Sequence, residues 1–254
     1  MAGVCLLVVA SRVVEGTPLL IGANRDELLN RPATPMTVLR PSGPRILGGR
    51  DEQSGGTWLA VNEHGVCAGL TNQPRAEGRD PTRRTRGELP LALATQPTAA
   101  QAAESLLAGY RPADYNGSWL LVGDRHTLYF IDFTGLVQPQ AVALPPGLHV
   151  LENRSLRTPS PKADRVATLL EGWPADRAAA TARLARALAD HWTAEPEGPN
   201  RMLPNCVHLE DYGTRSSCIV AVRDDDAPPQ IMLADGPPCT TPFVDANAGW
   251  RVAL

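Results

Sequence analysis

Lysine is almost missing from this 254-residue chain: of 24 basic side chains only Lys162 is a lysine, the rest being arginine. Together with the many alanines and prolines, this reads as a codon-composition bias and not as an arginine-binding function. An excess of charge of one sign is missing too. A net charge of -3 excludes the basic footprint of nucleic-acid binding and attachment to an anionic membrane surface. No apolar run approaches the roughly 20 residues of a membrane-spanning helix. The apolar residues 1–10 lack a basic segment and are too few for a signal peptide. The five cysteines, at 5, 67, 206, 218 and 239, are an odd number without a Cys-x-x-Cys pair. That argues against a disulfide framework and a zinc site, and for a reducing compartment. His191 and His208 have no partner at ligand spacing, so no metal is expected, and no haem-attachment motif exists. The absence of a glycine loop that cradles phosphates argues against a nucleotide enzyme. The expected location is the cytoplasm.

What is present is a chain with 43% hydrophobic and 20% charged residues, the composition of an ordinary globular protein long enough to bury a large core. Neither an internal repeat nor a linker is visible, so residues 1–254 are expected to form a single domain. Residues 4–10 and 18–23 are β-branched-rich runs that read as a buried hairpin, and residues 30–54, rich in Pro, Gly and Arg, read as a long ordered loop. Further hairpins are expected at 57–61 with 66–70, at 119–122 with 127–132, and at 216–223 with 230–234, with an edge strand at 250–254. Between them lie helical signals. Thr85 with Glu88 and Thr98 with Gln101 form capping-box patterns, although Pro90 limits the first helix to starting near Gly87, and Ser160 precedes an N1 proline, Pro161. Ala180, Leu184, Leu188 and Trp192 follow as a core stripe. Strands, then helices, then strands again imply antiparallel sheets with helices on their outer faces, an α+β layered domain.

Several of these strands end in polar groups: Asn24-Arg25-Asp26-Glu27, Thr71-Asn72, Glu152-Asn153-Arg154 and Thr214-Arg215-Ser216. Burying such groups costs several kcal/mol unless they are paired. They are therefore either solvated turns or the converging rim of a built pocket. Cys67 and Cys218 lie within apolar strands and read as core.

In chain order, Cys5, Gly22-Ala23-Asn24-Arg25-Asp26-Glu27, Arg31-Pro32, Gly55-Gly56-Thr57-Trp58-Leu59, Leu70-Thr71-Asn72, Arg86-Gly87-Glu88-Leu89 and Tyr212-Gly213-Thr214-Arg215 together resemble the NRDE family. These are the transport-and-Golgi-organisation proteins and their bacterial relatives. That family in turn resembles the N-terminal nucleophile hydrolases of the bile-salt hydrolase and penicillin V acylase branch, which implies a four-layer αββα sandwich. The resemblance also implies site roles. Cys5 is the expected nucleophile, with its own α-amino group as base once it is the mature N-terminus. Asp26 orients that amine, Asn72 donates to the oxyanion, Asn153 positions the amine or the substrate, and Arg215 stabilises the thiolate. Asn24, Arg25 and Glu27 complete the motif around the pocket. Ala23 stands where those hydrolases carry an arginine.

The larger departure is Met1-Ala2-Gly3-Val4 ahead of Cys5. The Val4 carbonyl makes the Cys5 nitrogen a peptide N–H, which cannot act as a base. Three readings stay open: a four-residue propeptide is removed, the gene start is misassigned, or the site does no such chemistry. The resemblance implies a hydrolase of a linear amide or thioester. It equally implies a non-catalytic carrier of haem or acyl-CoA lipid in the same cleft. The expected partner is thus a small molecule (an acyl amide, acyl-CoA or haem), with no cofactor required and haem only as a bound ligand.

Overall fold

The computed structural model describes residues 5–135, 138–195 and 204–251. Thirteen strands, numbered in chain order, form two antiparallel sheets. The first contains β1 (Cys5–Val14), β2 (Thr17–Leu28), β10 (Gly147–Leu151), β11 (Tyr212–Val222), β12 (Gln230–Ala234) and β13 (Val244–Asp245), in the order β10-β1-β2-β11-β12-β13. The second runs β3-β4-β5-β6-β7-β8-β9, from β3 (Ala33–Arg40), β4 (Ile46–Asp51), β5 (Leu59–Asn62) and β6 (Cys67–Asn72) to β7 (Ser118–Gly123), β8 (Leu128–Phe133) and β9 (Gln140–Ala143).

Alternation of side chains along the strands explains why the sheets stack. Leu7, Val9, Leu19, Ile21 and Val220 face one way and meet Leu59, Val61, Leu121 and Phe130 of the second sheet. Leu6, Val8, Ala10 and Leu20 face the other way, onto α3 (Pro161–Leu169) and α4 (Arg177–Leu188). The outer face of the second sheet, through Ala68, Leu70, Leu120 and Ile131, carries α1 (Glu88–Ala94) and α2 (Ala99–Gly109). With both faces of each sheet covered, β1 and β2 read as unbroken apolar runs and not as alternation. The result is the α+β four-layer αββα sandwich.

Local signals explain most element ends. The hydroxyls of Thr98 and Ser160 accept from the backbone N–H of Gln101 and Ala163, capping α2 and α3, and Asp176 caps α4 in the same way. Four expectations are corrected. Residues 30–54 hold β3 and β4 instead of a loop. Their prolines sit where the ladder can spare an N–H, since β3 is an edge strand with register shifts between Thr34 and Thr37. Thr85 does not cap α1, whose N-cap is Gly87 with no side-chain bond. Trp192 lies beyond the end of α4 and is 44% exposed, so it is not part of the core stripe. Residues 247–250 form a 3₁₀ turn, so the edge strand expected at 250–254 does not begin at Trp250, and β13 is the edge strand of the first sheet. Residues 1–4 and 252–254, and residues 198–203 expected as loop, lie outside the described residues. Among the described residues, no helix is long and apolar enough to cross a membrane.

Candidate functional site

The register Cys5↔Arg25 and Leu6↔Asn24 between β1 and β2 sets the geometry of the site. It puts Cys5 and Arg25 side by side, and it leaves Asp26 one position further, at the end of β1 where the Cys5 nitrogen lies. Cys5 and Asp26 both line a cleft of about 580 Å³. The wall opposite is built by two glycine segments in contact. A Cβ on Gly56, at φ 139°, would come within 2.7 Å of the Gly87 carbonyl carbon, and the Thr57 N–H donates to the Gly87 oxygen at 2.9 Å. Only glycine allows so close a backbone approach. The segments around Gly56 and Gly87, far apart in sequence, are thus one structural feature.

Cys5 is 7% exposed. Burial, and then the neighbouring Asp26 carboxylate, push its thiol up to about 12, against the pull of the Arg25 guanidinium and a hydrogen bond from the Asp26 backbone. A thiol held this high needs a base close by before it can attack. Its backbone N–H donates to Asn153 Oδ1 at 2.9 Å, and Asn153 Nδ2 donates to the Asn72 carbonyl at 2.6 Å. The Thr71 hydroxyl donates to the Glu152 carbonyl at 2.7 Å. These bonds tie the end of β6 to the end of β10, so two strand ends from different sheets meet at Cys5.

Asp26 is 1% exposed, and burial pushes its carboxyl up to about 7. Oδ1 accepts the Thr214 hydroxyl at 2.5 Å, and Thr214 Oγ1 in turn accepts the Val207 N–H at 2.9 Å. Oδ2 is buried and has no hydrogen-bond partner among the described residues, a costly arrangement for a carboxylate. The foremost charge acting on Asp26 is Lys162 on α3, the only lysine of the chain and 4% exposed. Its Nζ donates to the Pro204 carbonyl at 3.1 Å. Burial drives its pKa down, against the carboxylates of Asp26 and Glu152. Sequence reading noticed Lys162 only for its rarity. The signal available was a Lys four residues from α3's other core side chain, Val166, on the same helical face.

The remaining motif residues divide. Arg25 stacks 4.7 Å above the Trp58 ring and lies 4.0 Å from Glu27, which also approaches Arg31 at 3.6 Å; Arg31 pairs with Asp51 at 2.7 Å. These side chains line the cleft. Asn24 points to the opposite face. Its Nδ2 donates to the carbonyls of Leu188 and Asn205 at 2.9 and 2.7 Å, and its Oδ1 accepts the Ser217 hydroxyl at 2.6 Å, a brace for the end of α4. Arg215 sits in the bulge where β11 shifts register between Thr214 and Ser216. The bulge turns it away from the cleft lining, and Nη1 donates to the carbonyls of Leu28, Leu29 and Arg31 at 3.0, 2.6 and 3.0 Å. Arg25 is the guanidinium that pulls the Cys5 thiol down, and Arg86 also interacts with Cys5 through its charge.

On the outer side of the cleft lie Arg75, Arg79, Arg84 and Arg86. Arg75 and Arg84 are paired with Glu77 and Glu88. Arg86 is pushed down to about 10, first by burial and then by the like charge of Arg79. Among the described residues, neither Arg79 nor Arg86 forms an ion pair. A second cluster lies outside the cleft. His191, Cys206, His208 and Cys239 bring one ligand atom each to within 4.8 Å of the others. The expectation that the two histidines have no partner at ligand spacing is therefore corrected. Their partners come from the fold and not from the local sequence.

The chain is similar to known proteins along nearly its whole length. The family model for Transport and Golgi organisation 2 matches residues 4–229. The Transport and Golgi organization protein 2 homolog of Bos taurus is 29% identical over 235 residues, 82% of this chain and 83% of that protein. The Mus musculus homolog is 32% identical over 151 residues, 56% of this chain, and the match spans about half of that relative, 52% of its length. Among solved structures, the Caenorhabditis elegans N-acylethanolamine-hydrolyzing acid amidase ortholog superposes with a TM-score of 0.56 at 13% identity, covering 85% of this chain and 92% of that one. A C2A mutant of the conjugated bile acid hydrolase from Clostridium perfringens gives 0.53 at 11% identity, covering 96% and 93%. At such identities the likeness is one of fold, the N-terminal nucleophile hydrolase sandwich. With the family model spanning most of the sequence, the chain belongs to the Transport and Golgi organisation 2 family.

Proposed function

We propose that the chain is a cysteine-dependent hydrolase of a linear amide or thioester whose acyl part carries an anionic group, and that it acts after residues 1–4 are removed. The observation that carries this reading is the buried Asp26 Oδ2, without a hydrogen-bond partner among the described residues, at the end of β1 where the Cys5 nitrogen emerges. A buried carboxyl oxygen without a hydrogen bond, on which Lys162 acts only through space, is a place prepared for a charged donor. Hydrolysis of the Val4–Cys5 bond supplies one, the α-amino group of Cys5, which becomes an ammonium when it takes the thiol proton.

The steps then follow from the side chains present. The freed amine, with an ordinary pKa of about 7.7–8.0, accepts the Cys5 thiol proton. The sulfur attacks the substrate carbonyl, and the Asn72 amide donates to the resulting oxyanion. Asn153 Oδ1, which already accepts from the Cys5 nitrogen at 2.9 Å, holds that amine in place. The tetrahedral adduct expels the amine or thiol leaving group, which takes the proton from the Cys5 ammonium. Water then hydrolyses the acyl–sulfur bond, releasing the acid and restoring the thiol. Arg79 and Arg86, two like charges at the cleft that form no ion pair among the described residues, with Arg86 feeling Glu27 only through space, suit an anionic group on the acyl part. Two proteins with this fold are named for amidase and hydrolase activity, in keeping with the reading.

A panel of acyl amides and acyl thioesters with and without a terminal carboxylate tests it, using protein whose intact mass has been measured. Turnover is expected only from the species lacking residues 1–4 and is lost in Cys5→Ala. Equal turnover by Cys5→Ala overturns the assignment. The same two arginines also favour a second reading, a carrier that holds haem propionates or acyl-CoA without cleaving them. In that case Cys5→Ala binds haem or acyl-CoA as tightly as the wild type, Arg79→Ala with Arg86→Ala does not, and no hydrolysis accompanies binding.

A further inference from the structure

Three segments meet beside the end of α4, outside the cleft: the stretch after α4 that carries His191, the strap 204–208 leading to β11, and the turn between β12 and β13 that carries Cys239. The strap brings Cys206, which is buried, and His208. Cys206 Sγ lies 3.5 Å from His208 Nε2 and 3.6 Å from Cys239 Sγ; His208 Nε2 lies 3.1 Å from Cys239 Sγ. The His191 and His208 rings stand edge to face, 5.2 Å apart.

The two Cys206 separations match the edges of a metal tetrahedron, His208 to Cys239 at 3.1 Å is somewhat shorter, and His191, within 4.8 Å of the others, closes in on binding. Zinc–sulfur bonds of about 2.3 Å and zinc–nitrogen bonds of about 2.05 Å give sulfur–sulfur edges of about 3.8 Å and sulfur–nitrogen edges of about 3.6 Å. A Cys206–Cys239 disulfide would instead require the sulfurs to approach to about 2.05 Å. Two thiolates with two imidazoles select zinc or a similar borderline-soft divalent ion and reject magnesium and calcium. We propose that His191, Cys206, His208 and Cys239 form a Cys₂His₂ site that binds one zinc-class divalent cation.

Four protein ligands leave no open coordination position, so the role is structural. What the ion would hold is the strap that braces the Cys5 site. The Pro204 carbonyl accepts Lys162 Nζ, and the Asn205 carbonyl accepts Asn24 Nδ2 at 2.7 Å. Asn205 Nδ2 donates to the Ala187 carbonyl at 2.8 Å, and the Cys206 N–H donates to the Asp190 carbonyl at 3.0 Å. The Val207 N–H donates to the threonine that holds Asp26. One ion thus fastens the segment on which Asn24, Lys162 and Asp26 all lean.

The test uses the full chain, reduced and stripped of metal, titrated with Zn²⁺ against a chromophoric chelator. A parallel titration with Co²⁺ reads thiolate-to-cobalt charge transfer and tetrahedral ligand-field bands. One equivalent is expected to bind, with a tetrahedral cobalt spectrum. Cys239→Ser, a change at an exposed residue, is expected to weaken Zn²⁺ binding by more than about tenfold, and to abolish the rise in melting temperature that Zn²⁺ gives the wild type. An unchanged far-UV spectrum shows that Cys239→Ser still folds; His191→Ala is a second ligand variant with the same expected loss. Absence of saturable binding by the reduced wild type overturns the proposal, as does wild-type affinity in both variants. Isolation without reductant of a Cys206–Cys239 disulfide that takes up no zinc after reduction also overturns it.

Discussion

Asp26 is the group whose burial can be read out most directly, through the pH dependence of stability. In the chain with residues 1–4 attached, its carboxyl is raised from 3.8 to about 7, chiefly by burial. The folded chain therefore keeps a proton in this interval that the unfolded chain has released. Stability falls as the pH rises, fully present below the unfolded value and fully lost above the folded one. Each pH unit costs about 1.4 kcal/mol, so about 4 kcal/mol is lost over the whole interval. Asp26→Asn keeps the acceptor for the Thr214 hydroxyl but cannot titrate. Both proteins are compared on a Cys5→Ala background, with intact mass confirming that residues 1–4 remain, by urea unfolding at closely spaced pH values from about 4 to about 8. The Asp26 protein should lose several kcal/mol over that range relative to Asp26→Asn. At the alkaline end the Asn variant should be the more stable of the two, less whatever attraction to Lys162 it gives up. The same slope in both proteins would refute the claim that Asp26 is a buried carboxyl awaiting a cation.

Other substitutions separate bracing from chemistry. Asn24→Ala leaves the Leu188 and Asn205 carbonyls and the Ser217 hydroxyl without their partner; a loss of about 3 kcal/mol in denaturant unfolding is expected. Arg215→Ala abandons three backbone carbonyls and should lower the melting temperature while leaving the alkylation pH profile of Cys5 unmoved, whereas Arg25→Gln should shift that profile to higher pH. A Cβ on Gly49 would lie 1.9 Å from the Trp58 ring. Gly49→Ala should therefore push Trp58 from under Arg25, costing about 1–3 kcal/mol in unfolding and changing tryptophan fluorescence.

Much of the architecture was legible because the signals were local and strong. Val8, Val9, Leu19, Leu20 and Ile21 announce a strand pair buried on both faces, and Ser160 before Pro161 marks the start of α3. The strands β3 and β4 were hidden because edge strands tolerate prolines such as Pro35, and because Gly48 and Gly49 are there to admit the Leu59 backbone and the Trp58 ring. A turn needs the same residue types for a different reason. The site was legible only through the family motif. Nothing local distinguishes Asn24, which braces α4, from Asp26, two positions along the same strand and on the same face. Arg215 lies outside the cleft lining because a bulge reverses its side chain, which leaves no mark in composition. The His191, Cys206, His208 and Cys239 cluster was invisible because its ligands come from three segments, so no spacing rule applies. Lys162 was visible as a residue but not as a buried one.

The central claim concerns the nitrogen of Cys5: whether it becomes the amine for which Asn153 and Asp26 are arranged. Intact-mass analysis with N-terminal sequencing of the species that turns over an acyl amide or thioester tests this most directly. The active species is expected to begin at Cys5, and the form still carrying residues 1–4 to be inactive. A Met1 species with undiminished turnover would contradict it.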